Sequence, residues 1–156
     1  MLSIGAPESR LLDGLGMSHE ALERLLEQLQ THLAKLGLEI VQYYDNGTWY
    51  CVRSIFVAPN ELNTEEQAVL ATIIALLENE ITEHKRNAIR SKMLNNRLIE
   101  GNYMRSHKLR QILSTLQRLG FIKRSSQGIT YGPRTLIEFS PEMRKELHTK
   151  VSDILL

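Results

Sequence analysis

A mainly helical α+β fold, made by using one small helix-and-hairpin unit twice, is what this sequence of 156 residues predicts. Three observations carry that expectation. Leucines recur at three- and four-residue steps in two long segments, which is the period of a helix with one apolar stripe. Each segment runs through Leu-Gly into an apolar strand and a turn. The matching stretches Leu33-Ala-Lys-Leu-Gly-Leu-Glu-Ile-Val41 and Leu116-Gln-Arg-Leu-Gly-Phe-Ile-Lys-Arg124 begin at positions 33 and 116, an offset of 83. That spacing is too long for a solenoid and suits two copies of a small domain. An amphipathic helix feeding a β-hairpin is the winged-helix pattern, in which the hairpin is the wing. The predicted architecture is therefore tandem winged-helix (helix-turn-helix plus β-hairpin wing) domains. An abbreviated first domain spans 1–60, a second spans 61–140, and a C-terminal helix spans 141–156.

The elements follow in order. Ser18 is a good N-cap for a helix to about Leu36, striped by Leu22, Leu25, Leu26, Leu29 and Leu33 and stopped by Gly37. Before it only Ser9–Asp13 is available, so the first domain is short of helices. Leu38–Tyr44, the turn Asp45-Asn-Gly47 and Thr48–Arg53 read as a hairpin. A linker lies around 58–63. Thr64-Glu-Glu-Gln67 reads as a capping box that opens a helix to about Glu78. A second helix is expected from Glu83 to about Leu98, and a third from about Arg105 to Leu119 with Leu109, Ile112, Leu113 and Leu116 inward. A hairpin follows through the turn at Ser125–Gly128. Ser140-Pro141 opens the last helix, with Pro at a tolerated first position and Met143, Leu147, Val151 and Leu155 on one side.

Charge divides the chain. Residues 1–62 carry a net −4 and residues 63–156 a net +5, and between 84 and 124 there are 11 basic side chains against one acid, Glu100. At about 100° per residue, Arg86, Arg90 and Arg97 fall within about 40° of one another on the expected second helix, with Lys85 and Lys92 beside them. Such a stripe neutralises phosphates well, and it equally suits a solvated face or an acidic protein. On the third helix Arg110, Gln111, Ser114, Gln117 and Arg118 point outward, Arg105 and Lys108 lie at the N-terminus, and Lys123 and Arg124 lie on the wing. Lys85, Arg86, Arg90, Lys92, Arg97, Arg105, Lys108, Arg110, Gln111, Ser114, Lys123 and Arg124 form the expected DNA-binding set, positioning phosphates rather than reading bases. The helices at 18–36 and 141–155 are candidate protein-binding elements. Tyr43, Tyr44, Trp49 and Tyr50 cluster on the first hairpin, where cross-strand packing and an interaction platform both use aromatics.

The sequence predicts no catalytic, metal or cofactor site. His19, His32, His84, His107 and His148 have no metal-ligand spacing, no Gly-rich phosphate loop is present, and Cys51 reads as a small buried hydrophobe. One thiol and a polar N-terminus point to a reducing, intracellular setting. The longest apolar run, Ala68–Leu77, is about half a membrane span.

Lys35–Ile40 followed by Trp49–Val52, Thr64–Leu70, and Gly132-Pro-Arg-Thr-Leu-Ile-Glu-Phe139 together resemble the kite proteins. These are the tandem winged-helix subunits of SMC (structural maintenance of chromosomes) complexes, a family that includes segregation and condensation protein B, MAGE proteins and non-SMC element one. The resemblance implies a non-catalytic accessory subunit that binds a kleisin-type subunit of an SMC ATPase complex and contacts double-stranded DNA, with possible homo- or heterodimers with another kite protein. It implies a nucleoid or nuclear location. Element-one proteins add a zinc-binding RING; with one cysteine, that activity is not carried over. The alternative from the fold alone is a winged-helix DNA-binding transcription regulator.

Overall fold

The computed structural model describes residues 4–55 and 61–155, and part of the expected linker at 58–63 lies outside them. The chain divides into two compact units at Glu61/Leu62. The fold is mainly helical α+β; the second unit follows the winged-helix order of elements, and the first shows that order from its first strand onward among the described residues.

In the first unit β1 (Ala6–Pro7) leads into α1 (Glu8–Leu15), α2 (His19–Ala34) and the hairpin β2 (Leu38–Tyr44) and β3 (Thr48–Ser54). The sheet order is β1-β3-β2, antiparallel throughout. Ser18 caps α2, its side chain accepting from the Ala21 amide. Gly16 ends α1 in the left-handed region, at φ 60°. The register sets Tyr43 opposite Trp49, and their rings stack at 6.2 Å. Tyr43 donates its hydroxyl proton to the Ile4 carbonyl, and Trp49 Nε1 donates to the Asp45 carbonyl at 2.9 Å. These aromatics, unlike exposed Tyr44, are packing groups. Gln30 of α2 accepts from the Ile40 amide, so α2 answers part of the outer edge of β2.

The second unit opens with α3 (Thr64–His84), 21 residues long. Its cap is Asn63 with Glu66 in a reciprocal pair of 2.9 Å hydrogen bonds, one residue earlier than the box read from sequence. The helix does not end near Glu78. It runs to His84 and stops at Lys85, which is left-handed at φ 55°. The chain then extends so that Ile89 pairs with Ile129, exchanging hydrogen bonds of 3.0 and 2.9 Å. α4 (Ser91–Asn95) and a π-helical turn (Asn96–Glu100) follow, then α5 (Ser106–Arg118) and the wing β4 (Ile122–Ser125) and β5 (Gly128–Tyr131). With Ile89 counted as the first strand, the order Ile89-β5-β4 repeats that of the first unit. The expected continuous helix from Glu83 to Leu98 is thus corrected: burying Ile89 against Ile129 requires extended backbone where the local pattern favoured helix.

Gly132-Pro-Arg134 does not simply leave the wing. It starts a further short helix, α6 (Pro133–Glu138), which sequence reading missed. A Cβ at Gly132 would stand 2.2 Å from the Gly120 carbonyl oxygen, so only glycine fits. Thr135 donates to the Phe121 carbonyl at 2.6 Å, and the Arg134 guanidinium lies 4.2 Å from the centre of the Phe121 ring. The segment fastens the end of α5 to the chain beyond the wing.

α7 (Pro141–Leu155) packs along α3. Arg144 Nε donates to buried Glu78 at 3.1 Å, and the Tyr131 hydroxyl donates to the same carboxylate oxygen at 2.7 Å. Burial, the Glu78 hydrogen bond and its negative charge all push the Tyr131 phenol far up. His148 Nδ1 lies 3.0 Å from the Ala75 carbonyl, a contact that needs the proton on Nδ1. Val69, Leu70, Ile73, Ile74 and Leu77 of α3 join Ile89, Leu94, Leu98 and the α5 stripe in one core.

Candidate nucleic-acid interface

α5 has a clear division of faces. Leu109, Ile112, Leu113 and Leu116 are buried, while Arg110, Gln111, Ser114, Gln117 and Arg118 are exposed. Ser114 uses its hydroxyl on the Arg110 carbonyl at 3.0 Å, which leaves its oxygen lone pairs, but not its proton, for a ligand. At the N-terminus of α5, Arg105 occupies the cap position and makes no side-chain cap. The first-turn amides are therefore left for an anion. They border a shallow, open depression of about 510 Å³ lined by Asn102, Tyr103, Arg105, His107 and Lys108 among others.

Not every predicted cation is equally available. Lys108 Nζ is 2.8 Å from Glu65, a contact that raises the Lys108 pKa through that hydrogen bond and the carboxylate charge. Arg86 lies 3.9 Å from Glu80, a nearly buried carboxylate that His84 also approaches. Arg110, Arg118, Arg105, Arg90, Lys92 and Arg124 are exposed and make no ion pair among the described residues.

The stripe of Arg86, Arg90 and Arg97 does not exist as read from sequence. Lys85 is the left-handed residue after α3, Arg86 is in the extended segment, Arg90 is the cap of α4 and Arg97 is in the π turn. Lys85 and Arg86 follow α3, whereas Arg90 caps and Arg97 lies within the continuous helical segment 91–100, so the angular spacing of one helix does not span all four. Ile89, Leu94 and Leu98 are the buried residues of this stretch.

On the wing, Lys123 pairs with Thr130 and Arg124 with Ile129. Side chains alternate along a strand, so Lys123 and Arg124 leave opposite faces of the hairpin. Arg124 shares the face of buried Ile122 and Ile129 but stands near the tip, where it is exposed. Among the described residues no cluster of His, Cys, Asp and Glu could hold a metal ion, and no helix is long and apolar enough to cross a membrane. Cys51 is buried, and burial pushes its thiol up.

Fold and surface define the class, a mainly helical α+β chain with two winged-helix-like units, one of them strongly basic along its outward helix. No protein-family model matches the chain, and no curated protein matches it. A solved structure described as the Nse1-Nse3-Nse4 complex is similar at 16% identity with a TM-score of 0.49, over 76% of this chain and 54% of that chain. The chain thus spans about half the length of the chain it matches. A likeness of that extent carries no argument about function.

Proposed function

We propose that this chain is a non-catalytic accessory subunit of an SMC-kleisin chromosome-organising complex, docking on a kleisin-type subunit and contacting double-stranded DNA without reading its sequence. The observation that carries the DNA half is the outer face of α5. Arg105, Arg110 and Arg118 are exposed there with no ion pair among the described residues, and they lie on the helix that a winged helix presents to DNA. Exposed Arg124 on the wing and the α5 first-turn amides, which no side chain caps, are further phosphate-binding candidates. The partner half is supported by the short motifs shared with kite proteins and by the apolar surface of the first unit.

Fluorescence anisotropy with a labelled duplex of random sequence tests the DNA half. Binding falls steeply between about 50 and about 200 mM salt if phosphates dominate. Arg110→Ala and Arg118→Ala each reduce the slope of log K against log salt by about 1, alike on every sequence. No binding at the lower salt, or a consensus recovered by selection from random duplexes, overturns this reading; the second result supports a transcription regulator. Affinity purification that recovers neither an SMC ATPase nor a kleisin-type subunit overturns the partner half.

A further inference from the structure

Two acids sit in the first turn of α3, and they are used differently. Glu66 turns back to its own helix, where its carboxylate accepts from the Asn63 amide. Glu65 instead reaches across to α5, and one of its carboxylate oxygens lies 2.8 Å from Lys108 Nζ. Both side chains stay in contact with water, Glu65 being 57% and Lys108 41% exposed. Both line the open depression that Asn102, Tyr103, Arg105 and His107 also line. Lys108 stands in the first turn of α5, about 60° around the helix from outward Gln111. Its ammonium is therefore on the flank of the face proposed to meet DNA, and it already holds an anion.

We propose that Glu65 is an internal competitor for phosphate: its carboxylate holds the place at Lys108 that a DNA phosphate takes, and DNA displaces it on binding. This role rests on the proposed function and sets the affinity of that same surface. A charge-assisted bond from Lys108 to a phosphate oxygen would have about the length of the present one to Glu65. Two anions crowded on one ammonium repel each other, so one must leave. An exposed ion pair is weak, so little opposes its opening. The freed carboxylate then remains beside the phosphate that replaced it. That repulsion exists only in the bound state, so Glu65 lowers DNA affinity without destabilising the free chain. Arg110 and Arg118, which make no ion pair among the described residues, have no such rival. A pair that merely braces α3 on α5 predicts the opposite pattern: its loss lowers the melting temperature and leaves DNA affinity unchanged.

The test uses the full chain, a labelled duplex of random sequence, and fluorescence anisotropy between about 50 and about 200 mM salt. Glu65→Gln should bind about threefold more tightly than the unaltered chain. Its plot of log K against log salt should steepen by about 0.9, the increment for one further phosphate neutralised. In a Lys108→Ala background the same substitution should change Kd by less than about 1.5-fold, because no ammonium remains to be contested. The melting temperature of Glu65→Gln should stay within about 4 °C of the unaltered chain. A gain that persists undiminished in the Lys108→Ala background overturns the proposal, since the acid then acts by long-range repulsion alone. So does a Glu65→Gln variant that melts lower and binds DNA no better, since the pair is then only a brace. DNA binding by the unaltered chain that Glu65→Gln leaves unchanged defeats this inference and leaves the proposed function standing. No binding by any variant at about 50 mM salt defeats the DNA half of the proposed function, and this inference with it.

Discussion

Leu29 and Ile112 occupy the same place in two copies of one helix, yet one is part of a surface and the other of a core. The sequence around them is alike: a leucine stripe, Leu-Gly, an apolar strand. What differs is remote. The second unit has α3 in front of its helix-turn-helix and α7 behind α3, and a single buried cluster runs through all of it. The first unit buries only Leu22, Tyr43 and Cys51 among its described hydrophobic residues. A leucine stripe therefore specifies that a helix has an apolar face. Whether that face is core or surface depends on which other helix the chain provides.

The sharpest way to break this comparison is truncation at the matched positions. Ile112→Ala should destabilise the second unit by about 3 kcal/mol, through lost burial and the cavity left behind. Leu29→Ala should cost less than about 1 kcal/mol, since much of its side chain is already in water. Denaturant unfolding checks both, with the fluorescence of Trp49, the sole tryptophan, reporting the first unit. Similar losses at the two positions would mean that the stripes are not different in kind.

A second pair lies in the two hairpins. Gly47 and Gly128 have nearly the same backbone, φ 132° and 129°. A Cβ at Gly47 meets nothing within 4 Å, whereas one at Gly128 would stand 2.3 Å from the Ile89 carbonyl oxygen. Gly47→Ala carries backbone strain alone, about 1 kcal/mol. Gly128→Ala adds a clash that displaces the Ile89 bridge, and about 2 kcal/mol or more is expected in all. Thermal melts of the two variants, with amide exchange at Ile89 and Ile129, separate the two effects.

The smallest effect concerns the start of α3. Asn63→Ala should cost about 1 kcal/mol, because it removes the side-chain acceptor of the Glu66 amide while leaving the backbone N–H that donates to the Glu66 carboxylate. Thr64→Ala should be close to neutral, in contrast to the reading that made Thr64 the cap. Paired melting curves decide between the two positions.

Much of the fold was legible where the signal is local. The α2 cap at Ser18, both hairpins, the α5 stripe and the Pro141 start of α7 each follow from residues close together in the chain. The α1 helix was also within reach, since Leu11, Leu12 and Leu15 have helical spacing and Gly16 stops it. The two-residue strand β1 left no comparable pattern. The break at Lys85 was not legible, because a lysine carries no left-handed signal and the reason for the break is Ile129, far along the chain. The error passed straight into the candidate site: a helical wheel drawn across 83–98 joined Lys85 and Arg86, which follow α3, to Arg90, Lys92 and Arg97 of the next helical segment. Arg110 and Arg118 do share one helix face, because the helix that carries them follows from its own leucine stripe. That Lys108 is engaged by Glu65 depends on tertiary packing, which composition does not reveal.

The pairing of Ile89 with Ile129 has a mechanical consequence. These two residues bracket α4, the π turn, α5 and β4, so everything the second unit would present to DNA belongs to one loop of chain tied at its base. Drawing a long loop shut has an entropic cost, and two backbone hydrogen bonds meet it together with the burial of both isoleucines. The outward helix and the wing thus share a single clasp. Loosening it frees both at once, and tightening it stiffens both.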